Sequence, residues 1–286
     1  MPSLFVMKLI KDIHSLSQIV SSKKHEHINI GFVPTMGALH EGHISLIKQS
    51  LLENDFTIAS IFVNPLQFNN PDDLKKYPRT LDRDMQMLEA AGCNALFAPE
   101  ASEVYIEDEQ PLQFDLGNLA NVMEGKFRPG HFAGVITIVH KLFSWVKPDV
   151  AYFGEKDFQQ LAVIRKMAKA LHPDIIVTGC PTLREPNGLA MSSRNVRLSN
   201  TVRHDASIIY KAMQHAAQLK NILPVYEVCS QVRSMIEEIA PFKVEYVEIA
   251  DAVNLQSLQQ WSDSQSPRIF VAVFADDVRL IDNAAL

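Results

Sequence analysis

The chain has 286 residues, 47% of them hydrophobic, enough to bury a substantial core in one large domain plus a smaller one. Lys and Arg number 27 against 33 Asp and Glu, a net charge of −6, so no global basic field recruits nucleic acid or an anionic membrane, and any bound phosphate is captured locally. Cys93, Cys180 and Cys229 are widely spaced and form no Cys-x-x-Cys pair, which argues against a disulfide framework or zinc ribbon and for a reducing compartment.

Residues 1–20 are interrupted by Lys8, Lys11, Asp12 and His14, so they lack the apolar run of a signal peptide or membrane span, and the expected location is the cytoplasm. Within them, residues 5–20 read as a strand followed by a helix. The charged stretch from Ser21 to His27 then reads as an exposed connection with a solvated face. Residues 28–33 form the next buried strand. It is broken by Pro34 and Gly37 and followed by a helix whose inner face includes Ile44, Leu46 and Ile47.

Between strand and helix lies Met36-Gly37-Ala38-Leu39-His40-Glu41-Gly42-His43. A strand, a glycine-containing turn and a helix start aim backbone N–H donors and the positive end of the helix dipole at an anion, which makes this stretch a nucleotide-phosphate grip. His40 and His43 read as lying on one helical face, with Gly42 between them leaving room for a phosphate or base to reach the backbone. With 10 His and 11 Gly in the chain, His-x-Gly-His arises by chance roughly 0.01 times. Two other readings stand beside it. One is metal ligation by the histidine pair, although the spacing is one residue short of His-Glu-x-x-His; the other is a structural histidine pair.

Residues 56–63 read as a strand buried on both faces, ended by Asn64-Pro65. Helix signals follow at Asn70-Pro71-Asp72-Asp73 and at Tyr77-Pro78-Arg79-Thr80, then a helix over 81–91 and a short strand over 95–99. A strongly apolar helix spans 133–145, strands fall at 150–154 and 175–178, and a helix over 158–171 lies between them. This alternation predicts an α/β fold with a doubly wound parallel sheet. Such sheets bind ligands at the carboxyl ends of their strands, where residues 34–43, 64–67 and 154–157 fall. The pattern changes around Pro181 to Pro186, where helices over 202–220 and 225–239 and strands over 244–249 and 269–274 define a smaller α+β domain. The expected division is 1–184 and 185–286. Gly-x-Gly-x-x-Gly is absent, which disfavours a nicotinamide cofactor.

Five segments need a joint explanation: the 34–43 stretch, Phe62-Val63-Asn64-Pro65-Leu66-Gln67-Phe68, Arg128-Pro129-Gly130-His131-Phe132, Phe153-Gly154-Glu155-Lys156-Asp157-Phe158-Gln159-Gln160, and Met191-Ser192-Ser193-Arg194-Asn195. Together they resemble the pantothenate synthetase family, and the resemblance returns in Arg279-Leu280-Ile281-Asp282-Asn283. It implies a Rossmann-like fold of the HIGH-motif nucleotidyltransferase type and an ATP-dependent joining of pantoate to β-alanine by way of a pantoyl adenylate. It further implies small-molecule partners only, a homodimer, and Mg2+ accompanying ATP without a legible set of protein ligands. By the same resemblance Met36, Gly37, Ala38, Leu39, His40, Glu41, Gly42 and His43 contact ATP, with His43 the catalytic proton donor and His40 its partner near the phosphates. Lys156 and Arg194 stabilise phosphate charge. Met191, Ser192, Ser193, Gly154, Glu155, Asp157 and Leu183 also meet the nucleotide. Gln67 and Gln160 bind pantoate, with Asn64, Arg128 and His131 as weaker members of that set.

Taken alone, residues of this set have ordinary alternatives: Asn64 capping a turn, Arg128 pairing with a surface carboxylate, Gln160 simply lying on a helix. Asp84 is a candidate outer metal ligand whose plainer reading is a solvated helix residue. Asp277 stands where the family pattern leads one to expect glycine, in the turn before the last strand. The competing functions are another HIGH-motif nucleotidyltransferase, which leaves Gln67 and Gln160 without a role, and a nucleotide-sensing or RNA-binding module, which the net charge and the lack of aromatic residues interleaved with basic clusters disfavour.

Overall fold

A computed structural model describes residues 7–68, 71–105 and 109–286. Asn70, Phe5 and Val6, which figure in the expected helix signal and first strand, lie outside the described residues. In chain order the elements are β1 (Lys8–Ile10), α1 (Ile13–His25), β2 (Ile30–Thr35), α2 (Glu41–Glu53), β3 (Phe56–Ile61), α3 (Pro71–Lys76), α4 (Leu81–Ala91), β4 (Ala95–Phe97) and α5 (Ala101–Val104). Then follow α6 (Met123–Phe127), α7 (His131–Val146), β5 (Val150–Gly154), α8 (Phe158–Leu171), β6 (Ile176–Cys180), α9 (Asn200–Asp205), α10 (Ser207–Leu219), α11 (Val225–Glu237), β7 (Phe242–Asp251), β8 (Pro267–Ala275) and β9 (Val278–Ala285). Among the described residues no helix is long and apolar enough to cross a membrane.

The chain forms two compact units. The first comprises Met1–Leu116, Arg128–Glu155 and Gln160–Pro181, and the second Gly117–Phe127, Lys156–Gln159 and Thr182–Leu286. The first unit carries the expected parallel sheet, in the order β1-β4-β3-β2-β5-β6. Successive side chains of a strand face opposite ways, and the sheet is covered accordingly. Val33, Leu96 and Tyr152 pack with Ile44, Ile47 and Leu88 of α2 and α4. Their neighbours Phe32 and Phe153 meet Phe143, and Phe97 meets Trp145, both on α7.

The second unit contains the antiparallel sheet β7-β8-β9. Val228, Val232 and Ile236 of α11 and Ile209, Met213 and Ala216 of α10 share its core with Val271 and Val273 of β8. The 117–127 segment is tied into this unit by an ionic cluster. Arg279 donates to both oxygens of Glu124 at 2.7 and 2.8 Å and to Glu245, and the Tyr246 hydroxyl donates to Glu124 at 2.8 Å. Burial of the Glu124 carboxylate and partial burial of the guanidinium make the loss of either partner costly.

Three local expectations are corrected. The stretch from Ser21 is not a loose connection, because α1 continues to His25 with Lys23, Lys24 and His25 in its last turn, where cations complement unpaired carbonyls. Lys24 there grips both oxygens of Asp149 at 2.7 and 2.8 Å. The expected single helix over 202–220 is two helices, α9 and α10, because ψ at Ala206 flattens to −12° and interrupts the ladder. In the turn before β9 it is Asp276 that takes the left-handed backbone, with φ +54°. Asp277 instead presents its carboxylate to Arg197 at 2.8 Å, so this position has no need of glycine.

One half-buried pair in the first unit generates a pH prediction. His140 Nδ1 and His172 Nε2 lie 2.9 Å apart, which requires one nitrogen to donate and the other to accept. Burial lowers both pKa values from the usual 6.5, aided by Lys141 at His140 and by His140 at His172. Groups depressed on folding contribute stability above pH 6.5 that is lost as pH falls through their folded values. The denaturant midpoint is therefore expected to drop between pH 7 and pH 5, and His172→Gln, which keeps a hydrogen-bonding side chain without titrating, should lessen that drop.

Candidate functional site

The expected ligand-binding segments follow three neighbouring strands. Residues 36–43 leave β2, the 3-10 turn Pro65–Gln67 follows β3, and Gly154 ends β5, while β2 is flanked by β3 and β5. The chain steps from β2 to β3 to β4 in one direction and later places β5 on the other side of β2. The switch point, where open α/β sheets bind ligands, therefore lies between β2 and β5.

Pro34 keeps that point open. Thr35 O accepts from Phe62 N beyond β3, and Ile30 O accepts from Asp149 N just before β5. Main-chain groups alternate sides along a strand, so position 34 faces β5, and there proline offers no N–H. The β2–β5 pairing accordingly includes only Gly31 and Phe32, whereas β2 pairs with β3 through Thr35.

Beyond Thr35 the chain turns sharply, with φ +81° at Gly37 and +51° at Ala38. A Cβ on Gly37 would stand 3.0 Å from the Ile61 side chain and 3.1 Å from Asp84 Oδ2, so the left-handed conformation favours glycine and the space beside it is tight. Asp84, only 1% exposed, accepts from Ala38 N at 2.9 Å, Leu39 N at 2.8 Å and Thr80 Oγ1 at 3.1 Å. The plain reading of Asp84 as a solvated helix residue is thereby corrected.

The histidines are also arranged differently from the expectation. His40 is not on a helical face but is the extended N-cap of α2, with φ −144°. Its Nδ1 accepts from Gly42 N at 3.1 Å, and His43 Nδ1 accepts from His40 N at 3.3 Å, a reciprocal capping box made of two imidazoles. Their ring centroids are 4.1 Å apart. A nitrogen that accepts carries no proton, so each neutral ring holds its proton on Nε2. The N–H groups of Gly37, Ala38, Leu39, His40 and Gly42 are thus all used within the first unit, Gly37 N bonding Thr35 Oγ1 at 3.2 Å.

Next to this turn the structure brings together four of the five expected acid-binding residues. Gln67, 8% exposed, donates from Nε2 to Met36 Sδ at 2.8 Å. Asn64 Nδ2 donates to Gln67 Oε1 at 3.1 Å and Gly134 O at 3.0 Å. His131 Nδ1 lies 2.8 Å from Gln67 O, which Arg128 also approaches at 3.4 Å. Asn64, Arg128 and His131 therefore hold the Gln67 segment. Helix α7 comes close enough for this because a Cβ at Gly134 would collide with Leu66 O at 2.3 Å. Gln160, on α8 and half-buried, joins none of these hydrogen bonds.

In the second unit, Lys156 Nζ lies 3.4 Å from Asp157 Oδ1, and its carbonyl accepts from Asn283 Nδ2 at 2.9 Å. Asp282 accepts from Asn283 N and from Arg184, whose guanidinium lies 3.7 Å from the Tyr210 ring centroid. The 183–194 loop is closed by Met191 N on Leu183 O at 3.0 Å. Ser192 Oγ caps the 3-10 helix Ser193–Arg197 by accepting from Arg194 N at 3.2 Å. The positioning roles of Asp84 and Arg184 escaped the sequence reading, since Asp84 acts on Ala38, 46 residues away, and Arg184 on Asp282, 98 residues away.

This fold defines an open parallel α/β protein, a class that binds ligands at the switch point of its sheet. The sequence profile described as Pantoate-beta-alanine ligase matches residues 8–285. The pantothenate synthetase of Azobacteroides pseudotrichonymphae is 46% identical over 278 residues, covering 97% of this chain and 99% of that relative. The crystal structure of pantothenate synthetase from Thermus thermophilus superposes with a TM-score of 0.90 at 40% identity, over 97% of this chain and 99% of that one. A pantoate-beta-alanine ligase from Francisella tularensis, complexed with beta-gamma ATP and beta-alanine, matches at TM-score 0.81 and 38% identity over 98% of both chains. The chain belongs to the pantoate–β-alanine ligase family and is an enzyme of that family.

Asp84→Ala removes the acceptor of two main-chain N–H groups, and a buried donor left unsatisfied costs about 1–3 kcal/mol. The variant is expected to unfold at lower denaturant concentration, with Asp84→Asn, which keeps one acceptor oxygen, falling in between. Equilibrium unfolding of the three proteins checks the order.

Proposed function

We propose that this enzyme joins pantoate to β-alanine at the expense of ATP through a pantoyl adenylate. A pantoate carboxylate oxygen attacks the α-phosphorus of ATP and pyrophosphate leaves; the β-alanine amine then attacks the acyl carbon, loses a proton, and AMP leaves. The observation that carries this reading is the reciprocal pair of capping imidazoles, His40 and His43, whose Nδ1 atoms accept from the backbone at the end of the strand whose neighbour presents Gln67. Phosphoryl chemistry asks the protein mainly for positioning and for charge stabilisation where negative charge develops. His43 supplies a proton-bearing edge to the phosphate oxygens with His40 beside it, and Lys156 and Arg194 supply cationic charge as a mobile ammonium and a planar fork. Gly154, Glu155, Asp157, Leu183, Met191, Ser192 and Ser193 meet the nucleotide. Gln67 and Gln160 read the acid.

The Francisella ligase bound to beta-gamma ATP and beta-alanine supports ATP and β-alanine as ligands. Mg2+ enters as the counter-ion of the substrate's phosphates, which it binds while keeping several waters. A homodimer acting on small molecules in the cytoplasm completes the reading.

The test is pantoate-dependent exchange of labelled pyrophosphate into ATP without β-alanine, and its absence in the wild type removes the reading. His43→Ala should slow exchange by roughly 10²-fold or more, the scale for losing a positioned proton donor or electrostatic stabiliser. In the same assay Gln67→Ala and Gln160→Ala should raise the KM for pantoate more than that for ATP, whereas equal effects on both substrates would show that these amides do not read the acid.

A further inference from the structure

The hydrogen bonds around Asn64 determine which way its amide points without reference to any ligand. Leu66 N can only donate, and it bonds one side of the Asn64 amide at 3.3 Å; Gly134 O can only accept, and it bonds the other at 3.0 Å. The first side is therefore Oδ1 and the second Nδ2. Tyr105 meets Oδ1 at 2.7 Å, so the phenol donates. The second proton of Nδ2 goes to Gln67 at 3.1 Å, so the Gln67 atom there is Oε1, and its NH2 is the group turned to Met36 Sδ. An amide by itself is able to donate and accept; here Oε1 already accepts from Asn64.

We propose that Tyr105 is a positioning residue for acid recognition: through Asn64 it orients Gln67 so that its NH2 faces the substrate, and Gln67 reads an acceptor oxygen of the acid. The proposal rests on the pantoate reading above and names the polarity of that contact. Met36 Sδ, a weak acceptor, holds the NH2 until an oxygen of the substrate takes its place. Tyr105 is suited to a donor's role. Burial, reinforced by the nearby charge of Glu109, pushes its phenol pKa well above the ordinary value, and its ring lies 6.0 Å from that of Phe62 and 5.5 Å from the Lys141 ammonium.

The test measures KM for pantoate and for ATP by pyrophosphate exchange in wild type, Tyr105→Phe, Gln67→Ala and the double variant. Tyr105→Phe keeps the ring and removes the donor, and is expected to raise the pantoate KM about tenfold, the effect of one lost hydrogen bond on a buried amide. The ATP KM should change by less than about twofold. In the double variant the pantoate KM should match that of Gln67→Ala alone, because Tyr105 acts only through Gln67. Equal loss for ATP and pantoate, or full additivity in the double variant, overturns the proposal.

Asn64→Asp supplies a second and independent arm. It replaces the NH2 that Gln67 Oε1 accepts from with an oxygen, which favours a flipped Gln67 with its carbonyl toward the acid. The pantoate KM is expected to rise beyond that of Gln67→Ala, and an Asn64→Asp variant that binds pantoate as the wild type does overturns the assigned polarity. Failure of wild-type exchange with pantoate removes the reaction assignment, whereas wild-type exchange with an unchanged Tyr105→Phe removes only the role of Tyr105.

Discussion

Pairing of β2 with β5 stops at Phe32 because Pro34 has no N–H to offer on that side. That missing donor governs the rest of the candidate site. A β2 paired to its end on both sides would carry the ladder into the switch point of the sheet. Pairing with β3 instead continues to Thr35, so the chain leaves β2 with one edge supported, and the turn of residues 36–43 is built against Ile61 and Asp84.

The site is consequently saturated with its own hydrogen bonds before any ligand arrives. Asp84 and Thr35 take the turn's N–H groups, the two imidazoles cap each other's backbone, and Asn64 takes the carbonyl of Gln67. Such internal use fixes the remaining polar groups in place, which is the preorganisation that electrostatic stabilisation requires. It also places a buried carboxylate beneath a turn that is proposed to face phosphate. In the proposed reaction, the imidazole N–H groups of the same unit offset that negative charge.

The second unit uses the same device on different residues. Asn283 holds the Lys156 carbonyl, Asp282 holds Asn283 N and Arg184, and Arg184 lies over Tyr210. The Arg279 to Asn283 stretch thus combines two jobs: Arg279 binds the 117–127 segment through Glu124, and Asn283 holds the backbone of a lysine far earlier in the chain. A resemblance centred on nucleotide-binding motifs returns at the last strand because that strand supports one of them.

Strand and helix periods, proline and glycine breaks and the local motifs were enough to predict the parallel α/β sheet, a smaller α+β domain and the segments that end the sheet's central strands. They were enough because alternation and helical spacing are local properties of the chain. Residue types at 40, 43, 64, 67, 128 and 131 likewise marked the candidate site. Folding decided what those groups do to one another. The carboxylate of Asp84, 45 residues from Leu39, uses the N–H groups expected for an anion, His40 leaves the helical face to become its cap, and Tyr105, 41 residues from Asn64, donates to the amide that in turn holds Gln67. A hydrogen bond between distant residues leaves no periodic trace in a sequence, and only the folded chain shows which donors and acceptors are already taken.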